Sequence, residues 1–341
     1  MTVEQIKELI NTDQYNFLRE NEHLKNRVVF LTLGGSYAYG TNVESSDVDI
    51  RGCALNSISD LLGLSTFEQF VNEETDTTVY SFNKLIQLLM NCNPNTIELL
   101  GCKPEHYIYL SNIGQEMIDN RKLFLSQKAI HSFGGYATQQ LRRLENAIAR
   151  DTLPQSRKEE HIKNSMENTV TTFRDRYSFI NDSDIVLYLD DSNKENFDRE
   201  IYADINLTHY PVREFNSILN ELTNIIGTYD KLNGRNKKKD NEHLNKHAMH
   251  LIRLYLMCLD ILEKEEICTY RENDRDFLLE IRNGKYMKED GTYRDEFFQL
   301  VNDFEKRIDY AKKNTSLPKL PDYKKIEDFV ISVNMRNILN K

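Results

Sequence analysis

The sequence has few of the residues that punctuate tight turns, with 13 glycines and 6 prolines in 341 residues. This shortage argues against a turn-rich all-β fold and favours helices. Long hydrophobic runs are also lacking. The longest apolar candidate, residues 248–262, contains His250, Arg253 and Asp260 and is too short and too charged to span a membrane. We therefore expect no association with a membrane.

Cysteine is sparse, and its spacing argues against two kinds of site. The five cysteines are odd in number and form no C-x-x-C pair, which disfavours both a zinc site and a disulfide framework. Reduced thiols fit a cytoplasmic protein better. The N-terminal residues form a charged amphipathic pattern that is unlike a signal peptide. A cytoplasmic location is therefore expected.

An excess of positive charge is missing too. The chain has 44 basic and 54 acidic residues, so its net charge is −10 at pH 7. A protein that coats nucleic acid without specificity would be basic, and this balance disfavours that class. A local basic groove is still compatible with it. The run Arg235–Lys239 could contact RNA or DNA phosphates, although a solvated surface loop is the ordinary interpretation.

What the chain does contain is a dense motif at residues 33–52, LGGSYAYGTNVESSDVDIRG. Asp47 and Asp49 flank Val48 at its end. In a strand, alternate side chains share a face, so that the two carboxylates would point one way and Val48 and Ile50 toward the core. Two close carboxylates repel by about 4 kcal/mol at an effective dielectric near 20. A Mg²⁺ ion that carries nucleotide phosphates would relieve this repulsion.

The same motif begins with a glycine turn after an apolar run. Gly34 and Gly35 would let backbone N–H groups approach a phosphate, and Ser36 adds a hydroxyl donor. A Gly-Gly-Ser sequence alone is a weak turn signal. Together with the two aspartates behind it, the turn predicts a phosphate-binding site.

A third carboxylate would complete such a site by taking the proton of an attacking hydroxyl. Asp76 adjoins a β-rich run and is favoured, but Glu73 and Glu74 compete for the role. Arg51 shares the face of Asp47 and Asp49. It could steady a triphosphate or simply pair with a carboxylate.

At Gly35, Ser36, Asp47 and Asp49 the chain resembles the polymerase-beta superfamily of nucleotidyltransferases, whose signature is Gly-Ser followed about ten residues later by Asp-hydrophobic-Asp. The resemblance implies two Mg²⁺ ions, with Mn²⁺ as an alternative, held by Asp47, Asp49 and a third carboxylate. It also implies binding of a nucleoside triphosphate such as ATP.

The longer form of the motif resembles the RlaP-type branch of predicted nucleotidyltransferases, which is associated with RNA repair. The resemblance covers nearly the whole chain and is weakest at residues 151–230. Further segments similar to this branch are 93–98, 133–137, 246–253, 269–271, 281–284 and 317–322. The branch favours an RNA or tRNA end as the acceptor.

Lys246, His250 and Arg253 recur at helical spacing on one side of a predicted helix over residues 242–264. A cationic stripe beside an apolar face suits a cleft wall that binds phosphates or an acceptor. The alternative is a hydrogen-bonded histidine at the edge of the core, between two solvated cations. Glu98 follows an Asn-Pro-Asn break and is expected to hold an amide at a helix start.

These patterns predict an α+β fold: a small mixed-sheet catalytic domain at residues 1–115 and a mainly helical domain at residues 116–341 that completes the cleft. Residues 76–81 are the predicted third strand. Later helices are predicted at 212–227, 242–264, 274–282, 294–312 and 323–337.

The predicted function is Mg²⁺-dependent transfer of a nucleoside monophosphate to a hydroxyl, with release of pyrophosphate. A small molecule or a protein hydroxyl is an alternative acceptor to RNA. A nucleotide-binding sensor or antitoxin-like partner without catalysis is the alternative of a different class.

Overall fold

The computed structural model describes residues 1–152, 155–177, 180–181, 183–194, 198–235 and 241–339. The chain forms two compact units. The first comprises Met1–Gln140, Ala248–Lys285 and Asp295–Lys341, and the second comprises Leu141–His247 and Tyr286–Arg294. These units are not the same as the predicted domains 1–115 and 116–341, and that functional division stays a prediction. In the basic run Arg235–Lys239, residues 236–239 lie outside the described residues.

A mixed five-stranded sheet organises the first unit. Its strands are β1 (Val28–Leu33), β2 (Ile50–Ala54), β3 (Gln69–Asn72), β4 (Thr77–Ser81) and β5 (Tyr107–Leu110). They lie in the order β3-β4-β2-β1-β5. β2 and β4 are parallel, and the other neighbours are antiparallel. The second unit contains an antiparallel pair, β6 (Ile185–Asp191) and β7 (Arg199–Ile205).

Helices make up most of the remaining chain. They are α1 (Val3–Leu9), α2 (Phe17–Glu20), α3 (Gly35–Tyr39), α4 (Ile58–Leu62), α5 (Phe82–Leu89), α6 (Pro94–Ile97), α7 (Asn112–Asp119), α8 (Lys128–Thr152), α9 (Gln155–Val170), α10 (Phe173–Arg176), α11 (Val212–Arg235), α12 (Asn241–Leu259), α13 (Arg275–Arg282), α14 (Asp295–Asn314) and α15 (Tyr323–Ile338). A π-helical turn, Asp260–Lys264, follows α12, and short 3-10 turns lie at Asp13–Tyr15, Glu98–Leu100, Pro104–His106 and Arg121–Phe124. No helix within the described ranges is long and apolar enough to cross a membrane.

The sheet is held by apolar side chains of its central strands. Leu31, Ile50 and Val79, from three neighbouring strands, are buried in one cluster with Tyr15 and Phe67. β1 is buried at five of its six positions and β2 at four of its five, so both faces of these two strands are covered. The second unit has a separate cluster, whose members include Phe173, Ile185 and Ile218; it packs α9, α10 and α11 against β6 and β7.

The α+β class with a mixed sheet is confirmed. The strand predicted at residues 76–81 is observed as Thr77–Ser81, and it is the fourth strand of the chain because β3 precedes it. The N-terminal helical pattern is interrupted by a 3-10 turn at Asp13–Tyr15. The strands β3, β5 and β7 were not predicted from the sequence. β3 and β5 are four-residue edge strands whose side chains are half-exposed or exposed at most positions, which leaves little hydrophobic alternation to detect.

Candidate active site

The glycine turn lies directly after β1 and opens α3. Gly35 has φ +51°, in the left-handed region that favours glycine. A Cβ at this position would overlap the Asp49 carboxylate, and one at Gly34 would lie 2.9 Å from Cγ of Arg51. The Gly34 N–H donates to the Asp49 carbonyl at 2.8 Å. The two glycines thus bring the backbone against the acidic segment, which a side chain would prevent.

Asp47 and Asp49 lie just before β2, which begins at Ile50, and not within the strand as the sequence predicted. The core side of the predicted alternation is observed, whereas a shared face for the two carboxylates stays a prediction. Val48 and Ile50 pack in the core. Asp47 is exposed, whereas the Asp49 side chain is only 20% exposed. Asp49 is therefore the more enclosed of the two carboxylates and lies against the glycine turn.

Asp76 is the last residue of the turn between β3 and β4, with φ +42°. Parallel pairing places Ile50 opposite Thr77, and the Ile50 N–H donates to the Asp76 carbonyl at 3.2 Å. This register brings Asp76 beside Asp49. A hydrogen bond with the Asp49 side chain lowers the pKa of Asp76 and the nearby Arg51 charge acts in the same direction, while partial burial opposes both.

Arg51 bridges the two carboxyls. Its Nη2 lies 3.0 Å from Oδ1 of Asp76 and 3.4 Å from Oδ1 of Asp49. Its Nη1 donates to the carbonyls of Ile50, at 3.0 Å, and of Asp76. Of the two alternatives that the sequence left open for Arg51, the structure contains the pairing with carboxylates. Contact with a triphosphate stays a prediction.

The rival acids Glu73 and Glu74 lie in the same turn as Asp76 and are exposed. Among the three, Asp76 has observed contacts with both Asp49 and Arg51. In the described part of the chain, no three His, Cys, Asp or Glu side chains converge as a group able to hold a metal ion. The arrangement is thus a carboxyl pair, Asp49 with Asp76, and exposed Asp47 is not part of such a group.

Ser36 is half-buried in the first turn of α3, and its carbonyl accepts the N–H of Thr41 at 2.9 Å. Its place beside Gly35 agrees with the prediction that both residues belong to one turn. The predicted phosphate contact itself is not tested by this geometry.

The three residues of the predicted cationic stripe lie in different surroundings. Lys246 is exposed and belongs to the second unit, whereas His250 and Arg253 belong to the first. Nδ1 of His250 lies 3.4 Å from Nη2 of Arg253. Arg253 is 5% exposed and pairs with Glu98 at 3.3 Å. A guanidinium with this burial and partner is a structural ion pair, so its predicted contact with nucleotide stays a prediction.

Glu98 does not cap a helix as expected, because its carboxylate is used elsewhere. It accepts the hydroxyl of Tyr39 and the guanidinium of Arg253, which stacks 3.5 Å from the centroid of the Tyr39 ring. Burial raises the pKa of Tyr39 well above its usual value, so that its phenol stays protonated and donates. No local sequence pattern predicts this cluster, because Glu98 is separated from Tyr39 by 59 residues and from Arg253 by 155.

A family model described as RlaP, RNA repair pathway DNA polymerase beta family, matches residues 6–164. The matched segment is less than half of the chain and contains Gly35, Asp49 and Asp76. No curated protein matches the chain. The resemblance found in the sequence is confirmed over this segment. Residues 6–164, which carry the glycine turn and the two aspartates Asp49 and Asp76, are therefore similar to the polymerase-beta-type nucleotidyltransferases.

Proposed function

We propose that this protein is a Mg²⁺-dependent nucleotidyltransferase. It would move a nucleoside monophosphate from a nucleoside triphosphate to a hydroxyl acceptor and release pyrophosphate. The observation that carries the proposal is the position of Asp49 and Asp76 directly before two adjacent parallel strands, where Arg51 bridges their carboxyls beside the glycine turn. The family of residues 6–164 supports the same reaction class.

The donor set fits a hard divalent cation. Asp49 and Asp76 offer carboxylate oxygens within reach of each other, and Mg²⁺ or Mn²⁺ prefers oxygen ligands. Asp47 is exposed and lies outside this pair, so it would become the third protein ligand only by moving toward the pair. Bound divalent ions would supply positive charge that stabilises the entering and leaving oxygens of the displacement.

The glycine turn would bind the phosphates of the nucleotide. Gly35 and Ser36 lie at the start of α3, where backbone N–H groups are available to an anion, and the Ser36 hydroxyl adds a donor. Arg51, freed from the two carboxylates when a cation binds them, would pair with the triphosphate. Lys246 and His250 remain candidate contacts for phosphate or acceptor.

Asp76 would receive the proton of the acceptor hydroxyl. Its carboxyl lies 3.0 Å from Arg51 beside Asp49, where a carboxylate oxygen can serve both as a cation ligand and as a proton acceptor. The acceptor oxygen would attack the α-phosphorus in line, forming the new P–O bond while the bond to pyrophosphate breaks. The chain's contribution is therefore to orient the triphosphate on the turn and hold the proton acceptor beside it.

An RNA or tRNA end is the first candidate for the acceptor, because the family model carries an RNA repair description. A small hydroxylated molecule or a protein hydroxyl is the alternative. A second function, a nucleotide-binding sensor or antitoxin-like partner, is favoured by one observation: Arg51 already pairs with both carboxyls. A protein that only binds nucleotide could keep that pairing.

The test is label transfer from each α-³²P nucleoside triphosphate, with Mg²⁺ and total cellular RNA. Label in RNA is expected for the wild type. Asp49→Asn and Asp76→Asn are each expected to reduce transfer by about 100-fold or more, because each removes a charged ligand. Glu74→Gln is the matched control, an exposed acid in the same turn as Asp76 that is expected to retain activity within about twofold.

Full transfer by a folded Asp49→Asn protein would refute the proposed site. Nucleotide binding without turnover on RNA, small molecules or protein would favour the sensor. A loss of activity in Glu74→Gln with retention in Asp76→Asn would move the proton acceptor to Glu74.

A further inference from the structure

The segment that closes α3 connects back to the glycine turn. Gly40 is the C-cap of this five-residue helix and has φ +74°. The Thr41 N–H donates to the carbonyl of Ser36 at 2.9 Å. Displacement of the backbone at residues 39–41 would therefore move Ser36, the residue proposed to contact phosphate.

Three successive carbonyl groups of this segment receive donors from residues 271–282. The Arg271 N–H donates to the Tyr39 carbonyl at 3.1 Å, and Arg275 Nε donates to the Gly40 carbonyl at 2.8 Å. Arg282 Nη1 donates to the Thr41 carbonyl at 2.6 Å. The last carbonyls of a helix have no partner within the helix and carry partial negative charge, so guanidinium donors suit them well.

The donors are themselves held in place. Arg271 is 4% exposed and forms ion pairs with Asp260 and Asp274, and Arg282 is 8% exposed. A Cβ on Gly40 would lie 2.5 Å from Cε2 of Tyr270, which shows how closely the ring covers this backbone. Two of the three donor residues are thus buried, and the third, Arg275, is partly exposed.

We propose that residues 270–282 form an arginine clamp on the backbone of residues 39–41, and that Arg275 and Arg282 are positioning residues for nucleotide binding by the glycine turn. This inference rests on the proposed function. The clamp residues 270–282 lie outside the matched segment 6–164. Its role follows from chemistry: a turn that binds a triphosphate gains affinity when its backbone is already held in the bound geometry.

The Gly40 carbonyl is bound by Arg275, which is the partly exposed arginine of the clamp. Its substitution is therefore the mildest test of the clamp. The Arg275 side chain is 42% exposed, so Arg275→Ala should fold. Arg282→Lys is the second variant, which keeps the charge but not the reach of the guanidinium. Arg336→Ala is the matched control, because Arg336 is a similarly exposed arginine, 39%, that pairs with Glu116.

Two measurements are made on each full-length protein. Hydrogen exchange reports on the backbone amides of residues 35–41, and binding of fluorescent ribonucleoside triphosphates with Mg²⁺ reports on affinity. We expect exchange to be about tenfold faster in Arg275→Ala and Arg282→Lys, as expected for the loss of one charge-assisted hydrogen bond. Nucleotide Kd and KM should rise by about five- to tenfold with kcat little changed, because the turn would bind the ground and transition states alike. Arg336→Ala should match the wild type.

Unchanged exchange in both variants would overturn the clamp. Faster exchange with unchanged nucleotide affinity would reduce it to a purely structural contact and overturn the positioning role. If the wild type binds no nucleotide, the proposed function fails and the positioning role fails with it. The exchange data would still decide, separately, whether the arginines hold the turn.

Discussion

At the scale of single residues, Gly35 illustrates how closely the site is built. Its φ is +51°, and a Cβ would overlap the Asp49 carboxylate. We expect Gly35→Ala to destabilise the protein by about 1–3 kcal/mol, because the backbone is strained for alanine and Asp49 must move. Urea unfolding and the transfer assay measure both consequences.

The matched control for this substitution is Gly135→Ala. Gly135 lies within α8 and a Cβ there would meet nothing within 4 Å. It should stabilise the helix by about 0.5–1 kcal/mol and leave nucleotide transfer unchanged. If the two alanine variants were equally stable and active, the close approach of Gly35 to Asp49 would not be a constraint.

Arg51 is a second residue whose role can be tested alone. Its guanidinium contacts Asp49 and Asp76, the positions at which a divalent ion would bind. Removal of this competing charge by Arg51→Gln should tighten Mn²⁺ binding in the absence of nucleotide by about fivefold, an effect of roughly 1 kcal/mol for a partly exposed pair. In the presence of nucleoside triphosphate, transfer should fall, because the phosphates lose a cationic partner.

Titration calorimetry or the paramagnetic resonance of Mn²⁺ would measure this binding directly, without reference to activity. Weaker Mn²⁺ binding in Arg51→Gln would contradict the interpretation that Arg51 and the metal compete for the same carboxyls. Arg336→Gln, which breaks a different ion pair, should leave the affinity unchanged.

At the scale of elements, Glu98, Arg253 and Tyr39 join α12 and the 3-10 turn Glu98–Leu100 to α3. The ion pair is buried, with side chains 6% and 8% exposed. Removal of one partner leaves a buried charge, so Glu98→Gln and Arg253→Met should each cost about 3–5 kcal/mol. The double variant should cost about 1–3 kcal/mol less than the sum, since neither charge is then left alone.

Urea unfolding of the four proteins completes this double-mutant cycle. The exposed pair Arg307 and Glu263, with side chains 53% and 29% exposed, is the control and should couple by less than about 1 kcal/mol. Strictly additive effects at Glu98 and Arg253 would mean that their contact contributes no coupling energy.

At the scale of the whole molecule, each compact unit has its own hydrophobic core. Phe173 is fully buried in the second unit and Phe30 in the first. We expect Phe173→Ala to cost about 3–5 kcal/mol and to speed amide exchange in β6 and β7 by more than tenfold. Exchange in β1 and β2 should change little.

Phe30→Ala should produce the reverse pattern, with β1 and β2 losing protection and β6 and β7 keeping it. Hydrogen exchange with mass spectrometry resolves both sets of strands in one experiment. Equal loss of protection in both units after either substitution would show that the two cores unfold together.

Local sequence pattern was enough to predict several helices and strands and the chemical character of the glycine turn and aspartates. The alternation around Ile50 predicted the core side of the strand, and helical spacing predicted α12 to within a few residues of its end at Leu259. The glycine turn and the aspartates predicted the resemblance that the family model matches over residues 6–164, because phosphate and metal chemistry constrain both their types and their spacing. Only local periodicity and residue type are needed for such inferences.

The tertiary structure decided which distant groups meet. Parallel pairing of β2 with β4 places Asp76 beside Asp49. The alternation of side chains along a strand could not by itself distinguish Asp76 from Glu73 or Glu74. Arg253 pairs with Glu98 in the core, because a buried charge without an opposite charge beside it is strongly destabilising. The clamp from Arg275 and Arg282 also joins residues more than 230 positions apart. Such contacts depend on how whole helices and strands pack together, and the local pattern of a single sequence does not predict that packing.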